Sequence, residues 1–334
     1  MPGVEFSFQD TGAGDSSGNR AWIVIAILVS AVTIGVILLV RAFGEGDGAA
    51  DGANRPAGEE TAAQPSRAEG RPKGGTATPP PAPQFDLKEA SESALAFMRA
   101  GEAAEKADNL YAARTNYLAA LADPGCGNAR PVAEARLGAV DIELIFSPRE
   151  MDGKIDYAIA SGDSLKKIAS RHGTTVDLIV KGNAVPNPDR VQVGDRLRVL
   201  DKQVFEIAVS KSRNDLVVTL NGQFFKRYTV GTGKFAKTPV GTFQVTDKIP
   251  EPPWWRPDGK VVPFGDKENI LGTRWMAIAA TGNTPPAKGY GIHGTWDESS
   301  LGQQSSAGCI RMANRDVEEL FVYIPIGTRV VIGE

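Results

Sequence analysis

The sequence predicts a multidomain chain: a single transmembrane helix, a disordered linker, a small α-helical segment, a βααβ unit and a mainly-β domain with one late helix. Three observations predict it. Residues 21–40 are twenty in a row without a charge, which at the helical rise is long enough to span a hydrocarbon core of ~30 Å. Residues 44–84 hold Gly, Ala, Pro, Glu and Arg with scarcely a large apolar side chain. Beyond them the apolar spacing is helical to about Phe146 and becomes close to two from Val204 onward, the periods of a helix face and of a half-buried strand.

Residues 1–20 form a polar tail and 21–43 the anchor, closed by Arg20 and Arg41. A cleaved signal peptide would carry an apolar core of only ~7–15 residues before a small-residue site. Arg41-Ala42-Phe43-Gly44-Glu45 offers no such site, so the anchor is expected to stay. Positive charges are nearly balanced across it, Arg20 and the terminal amine against Arg41 and Arg55, so charge alone does not orient it. The linker, ending in Thr78-Pro79-Pro80-Pro81-Ala82-Pro83, buries too little to offset its conformational entropy and reads as an extended tether.

In residues 85–150, Leu110, Ala113, Tyr117, Ala120 and Leu121 share one helical face. Residues 154–201 read as strand, turn, two short helices and strand. Leu165, Ile168 and Ala169 line the first helix, Thr175 caps the second over Val176 to Lys181, and Val191 to Val199 turns into the closing strand. In residues 203–334, strands are expected at Val204 to Ser210, Leu216 to Leu220, Gly241 to Thr246, Trp275 to Ala279, Tyr290 to Thr295 and Arg329 to Ile332. Asn221-Gly222 signals a type I′ hairpin. The late helix is expected to start on Asn314 as cap and to bury Val317, Leu320, Phe321 and Ile324 before Pro325.

A net charge of −3 without a Lys/Arg block leaves no footprint for nucleic acid. Two cysteines make a disulfide framework impossible. Cys126, in Pro124-Gly125-Cys126-Gly127, reads as an incidental loop thiol, and His172 as a solvated helix-end residue without ligand-type neighbours. The other pair, His293 and Cys309, lies sixteen positions apart in a glycine-studded stretch of the β domain. A thiol needs a base and room for an acyl carbonyl to act as a nucleophile. Cys309 is therefore the candidate nucleophile, its pKa depressed by the imidazole of His293, the candidate base. Gly308 clears space beside it, and the amides of Gly308 and Cys309 are available as an oxyanion hole. With no Asp or Asn at hand to orient the imidazole, a backbone carbonyl near Gly294 is the expected partner. A buried inert cysteine is the alternative. No carboxylate-histidine cluster suggests a metal, and the chemistry needs no cofactor.

Three resemblances add to this reading. Asp108 to Leu121 resembles one helix pair of a tetratricopeptide repeat; with a single copy, a helical hairpin or spacer is expected rather than a partner-binding array, though a protein partner stays open. The βααβ unit resembles a LysM domain along its whole length, from Gly162-Asp163-Ser164-Leu165 through Asn183 to Val193-Gly194-Asp195-Arg196-Leu197. That likeness implies binding of N-acetylglucosamine-containing glycan through Gly162, Asp163, Ser164, Leu165 and the loop after Asn183, a plain spacer being the alternative.

The third covers roughly 203–334. Thr238-Pro239-Val240-Gly241-Thr242-Phe243, Leu271-Gly272-Thr273-Arg274-Trp275, Gly291-Ile292-His293-Gly294-Thr295 and Ser306-Ala307-Gly308-Cys309-Ile310-Arg311-Met312 resemble the YkuD-type L,D-transpeptidase catalytic domain. The resemblance implies that Cys309 attacks the third residue of a peptidoglycan stem tetrapeptide, releases D-alanine and passes the acyl group to an amine, giving 3-3 cross-links or attaching a protein. It implies that Ser306 bonds within the active-site loop and that Arg311 either holds a substrate carboxylate or braces that loop. Many members have His where this chain has Ala307. Trp254 and Trp255, in a Pro-rich insertion, suit a substrate-contacting flap or packing onto the sheet. Hydrolysis by an L,D-carboxypeptidase and an inactive, membrane-tethered peptidoglycan-binding scaffold are the alternatives. The implied function makes the chain a single-pass protein of the cytoplasmic membrane with its C-terminal domains facing the periplasm or cell wall.

Overall fold

The computed structural model describes residues 90–334, the side chain of Ala236 excepted. The expected tail, membrane anchor and linker lie outside the described residues. Among the described residues no helix is long and apolar enough to cross a membrane.

Three helices come first: α1 (Glu92–Lys106), α2 (Leu110–Ala122) and α3 (Arg130–Ile145). Their starts are set by local chemistry. The Ser91 hydroxyl accepts from the Ala94 amide at 3.1 Å and the Asn109 side chain from the Ala112 amide at 3.0 Å, while Pro131 sits in the first turn of α3, where no amide is needed. The expected face of α2 buries Leu110, Ala113, Tyr117 and Ala120. The segment is thus a three-helix unit, not a hairpin, because α3 supplies the apolar surface that α1 and α2 alone would leave open. Cys126 is 1% exposed: the expected loose thiol is a core residue.

A buried ion pair, Arg114 Nε to Asp141 Oδ1 at 2.7 Å, ties α2 to α3. Burial pushes the Asp141 carboxyl up to about 7 against the pull of Arg114. Arg114→Ala would strand that carboxyl, and a loss of about 3 kcal/mol in unfolding free energy is expected by denaturant titration; a loss well under about 1 kcal/mol would show that the pair holds nothing together.

The βααβ unit follows. Strands β1 (Lys154–Ala158) and β2 (Arg196–Leu200) pair antiparallel, Ile155 opposite Val199. Between them lie α4 (Leu165–His172), capped by Ser164, and α5 (Val176–Gly182), capped by Thr175. Leu165, Ile168, Ala169, Ile179, Leu197 and Val199 form its own small core. His172 is 8% exposed rather than solvated. Its Nδ1 lies 2.8 Å from Asp201 Oδ1, and its ring meets the edge of Tyr157 at 5.2 Å. Gly173 in the left-handed region turns the chain away there, and the strand end returns to cover the ring, the Lys202 amide donating to the His172 carbonyl at 2.7 Å.

The C-terminal domain is built on an eight-stranded sheet. Its strands are β3 (Phe205–Ser210), β4 (Asp215–Leu220), β5 (Gln223–Thr229), β7 (Gly241–Pro250), β10 (Arg274–Ala280), β11 (Gly291–Thr295), β13 (Ile310–Ala313) and β14 (Arg329–Gly333). The order across it is β13-β11-β10-β7-β14-β3-β4-β5. Asn221 and Gly222 both take positive φ, 50° and 78°, in the β4–β5 turn, as a type I′ turn requires. Most pairs are antiparallel; β14 with β3 and β11 with β13 are parallel. Short strands β6 (Thr232–Gly233) with β12 (Gln304–Ser306), and β8 (Trp254–Trp255) with β9 (Val261–Val262), lie outside the main sheet.

Helix α6 (Asn314–Tyr323) buries Val317, Leu320 and Phe321, and Ile324 follows them into the core. Asn314 does not cap it. Ala313 takes the cap position, and Asn314 Oδ1 instead accepts from the Thr273 amide at 3.1 Å. At the centre of the domain Phe205, Phe225 and Tyr323 pack with ring centroids 5.2 to 5.4 Å apart. The core continues into α3 through Leu137 and Leu144 and into α5 through Leu178. Polar ties follow the same seams: Arg227 of β5 reaches Glu134 of α3 at 2.8 Å, and the Thr175 hydroxyl donates to the Val322 carbonyl. The helical unit and the βααβ unit are therefore braced against the eight-stranded domain.

Candidate active site

Strand β11 is buried along its length between β10 and β13. Its register sets His293 opposite Trp275 on one side and Arg311 on the other. The imidazole is 2% exposed and stacks on the Trp275 ring at 5.7 Å and 28°. Its Nδ1 lies 2.6 Å from the Gly294 carbonyl; a carbonyl only accepts, so Nδ1 carries the proton and Nε2 is left as the basic nitrogen. The expected backbone orienter is therefore in place. A side chain at Gly294 would put its Cβ 2.1 Å from Asn314 Oδ1, so glycine lets the Gly272–Thr273 turn, α6 and β11 meet behind the imidazole.

The Ser306–Cys309 loop is held by short-range bonds. Ser306 is 4% exposed; its hydroxyl accepts from the Gly308 amide at 3.0 Å and donates to the Cys309 carbonyl at 2.7 Å. From the other side the Thr238 hydroxyl accepts from the Gly233 amide and donates to the Gly308 carbonyl, both at 2.8 Å. Gly308 has φ 138°, and a Cβ there would come within 2.7 Å of Tyr290 Cε1 and 3.2 Å of the Lys237 carbonyl. Since the Gly308 amide is already bonded to Ser306, it is not the free oxyanion donor that the sequence suggested; the Cys309 amide remains for that task.

Cys309 Sγ donates to the Gly289 carbonyl at 3.6 Å. It opens, with His293, Ser306, Arg311, Trp254 and Trp255, onto one cavity of about 550 Å³. Gly294 and Gly308 stand behind that surface. Leu271, Trp275, Lys288 and Tyr290 also line it and were not singled out from sequence; Leu271 and Trp275 lie in the Leu271–Trp275 motif, which was the available signal. So does Thr238 in its own motif.

The Pro-rich insertion is the β8–β9 hairpin, Trp254 opposite Val262. Trp255 is 72% exposed, whereas Trp254 is half-buried with the Arg256 guanidinium 5.5 Å from its ring centre. Asn269, 1% exposed, fastens the base of the hairpin: its amide donates to the carbonyls of Pro252 at 2.9 Å and Val262 at 3.2 Å. The rings form one wall of the cavity instead of packing onto the sheet.

Residues 205–332 match the YkuD L,D-transpeptidase catalytic domain, and residues 157–199 the LysM domain. YqjB of Bacillus subtilis is 44% identical over 129 residues, 38% of this chain and 70% of its own length. YkuD of Bacillus licheniformis is 32% identical over 182 residues, 53% of this chain and 97% of its own. Both bear the name of L,D-transpeptidases. The chain belongs to the L,D-transpeptidase family. A solved L,D-transpeptidase from Mycobacterium tuberculosis H37Rv aligns at 18% identity over 42% of this chain and 70% of its own, with a TM-score of 0.33.

The electrostatics of this L,D-transpeptidase site differ from the expected thiolate–imidazolium pair. Burial, aided by the Arg311 charge, lowers His293 from 6.5 to about 4, against the backbone bonds to Gly294 and Leu271. Burial also raises the Cys309 thiol, with the Gly291 backbone and Arg311 opposing. Both partners are thus neutral at rest, because desolvation disfavours each charged form. A base that stays neutral down to about pH 4 should keep the acid limb of kcat/KM for D-alanine release near that pH. A limb centred near 6.5, the ordinary imidazole value, would contradict this environment.

The LysM candidates lie apart from the cavity. Asp163 accepts from the Tyr157 hydroxyl at 2.6 Å and the Ala160 amide at 3.0 Å. Asn183 donates to the Ile179 and Arg198 carbonyls and accepts from the Arg198 amide. Leu165 is buried and Ser164 caps α4. Asp163, Leu165 and Asn183 shape these loops from within, whereas Ser164 and Gly162 are exposed, Gly162 at φ 82°.

Proposed function

We propose that this transpeptidase cross-links peptidoglycan, with Cys309 as nucleophile and His293 as general base. The observation that carries the reading is that Cys309 and His293 share one cavity walled by the Trp254–Trp255 hairpin and holding Arg311. As the sulfur bonds to the carbonyl carbon of the third stem residue, its proton passes to His293 Nε2. The imidazolium then protonates the departing D-alanine amine as the C–N bond breaks, leaving a thioester. A neutral acceptor amine next attacks the thioester; the new C–N bond replaces C–S, and the amine's proton returns through His293 to sulfur. The Cys309 amide serves the oxyanion. Arg311 forms no ion pair among the described residues, which supports the substrate carboxylate, not loop bracing, as its partner.

The LysM domain holds the glycan through the loops at Gly162 and Asn183. Residues 21–43 anchor the chain in the cytoplasmic membrane with the C-terminal domains outside; their uncharged run supports it, and a reporter fused after Glu334 should be active only outside the cytoplasm. The helical segment serves as a brace, as its burial against β5 suggests.

Incubation with disaccharide-tetrapeptide muropeptides tests the function. Cross-linked dimer with equimolar D-alanine, seen by mass, is the expected product. Tripeptide alone would mean hydrolysis, and no turnover would mean a binding scaffold.

A further inference from the structure

The cavity accounts for one substrate, but the proposed reaction joins two at a single acyl carbon. The second needs a surface of its own beside the Cys309 loop. One segment outside the cavity touches the nucleophile loop directly. The 3-10 turn Lys234–Ala236 and Lys237 lie between two points fixed to that loop. On one side β6 pairs with β12, setting Gly233 beside Ser306; on the other Thr238 bonds the Gly308 carbonyl. Lys234, Phe235 and Lys237 do not line the cavity that holds the hairpin tryptophans.

The turn presents an unusual surface. Phe235 is 90% exposed, the most exposed of the large apolar side chains among the described residues. It also occupies the left-handed region, φ 53° and ψ 43°, which costs free energy in any residue with a Cβ. A bulky aromatic held in a strained conformation with its ring in water gains nothing for the fold, and strain kept in place by flanking bonds marks a site of recognition. Lys234 and Lys237 are exposed on either side, and neither forms an ion pair among the described residues.

We propose that Lys234, Phe235 and Lys237 bind the acceptor: a second peptidoglycan stem peptide, whose carboxylates meet the two ammonium groups while Phe235 covers its backbone. The assignment rests on the transpeptidase reading and adds the acceptor side to it. These are positioning residues; the acceptor amine they deliver forms the C–N bond as the C–S bond of the thioester breaks.

The test uses the full chain in mild detergent, with a tetrapeptide stem as donor and an isotopically labelled tripeptide stem as acceptor, which has no D-alanine to lose. Phe235→Ala, Phe235→Asn and the double variant Lys234→Ala/Lys237→Ala are compared with wild type. Asn tolerates the left-handed conformation, so Phe235→Asn removes the ring while keeping the turn. Acylation, read as D-alanine release without acceptor, is expected to stay within about twofold, while the acceptor KM rises about tenfold and the ratio of cross-linked dimer to hydrolysed donor falls by about as much. An unchanged acceptor KM in Phe235→Asn and in the lysine variant, or a parallel loss of acylation, would overturn the assignment. Failure of the wild-type chain to acylate at all would overturn the transpeptidase reading with it.

Discussion

Cys309→Ala is expected to abolish D-alanine release and cross-linking, a loss of at least about 10⁴-fold, because Cys309 is the one thiol lining the cavity. Cys126, the other thiol, is sealed in the helical core and raised by burial. The fold should not notice the change. Cys309 is partly exposed and its sulfur makes one weak bond, to Gly289, so the melting temperature should shift by less than the equivalent of about 1 kcal/mol. Activity and melting curves measured on the same preparation separate the two effects. Cys309→Ser should be nearly as inactive, because the neutral pair at rest relies on the greater acidity and nucleophilicity of a thiol. Residual turnover above about a hundredth of wild type in either variant would argue against a Cys309 acyl-enzyme.

His293→Ala is expected to lower the acylation rate by about 10³-fold. The loss should be large because burial raises the Cys309 thiol, leaving little thiolate at neutral pH without a base. The pH profile carries the signature. Wild-type activity should be flat over the pH range in which His293 is neutral, whereas the variant should gain rate with rising pH as hydroxide replaces the imidazole. A structural loss alone would lower the variant's profile without changing its shape. The substitution also removes a 2%-exposed ring stacked on Trp275, so a destabilisation of about 2 kcal/mol is expected beside it; His293→Gln, which fills more of the space, should recover stability but not rate.

Much of this site is legible in the sequence alone. His293 and Cys309 stand in short motifs whose glycines limit what can surround them, and the lack of a nearby carboxylate pointed to the Gly294 carbonyl that Nδ1 bonds. Strands long enough to show a period of two were readable, and so was the Asn221-Gly222 turn. What escaped depends on residues distant in sequence. Asn314 looks like a cap, yet its acceptor is claimed by the amide of Thr273, forty-one positions away. His172 is paired with Asp201, twenty-nine positions on, which no local pattern reveals. Strands β8 and β9 have two residues each, too few for any period. The direction of the Cys309 shift could not be read from a neighbouring histidine, because burial outweighs proximity when both partners lose water. Ser306 shows the same limit: its place in the loop was anticipated, but its capture of the Gly308 amide, which removes one expected oxyanion donor, needed the geometry.

The most direct test of the central claim is the mass of the intact protein during turnover of a tetrapeptide donor, followed by peptide mapping. The account predicts an adduct equal to the donor minus D-alanine, attached to the peptide containing Cys309 and discharged when an amine acceptor is added. Turnover without any adduct, or an adduct mapped to Cys126, would contradict it.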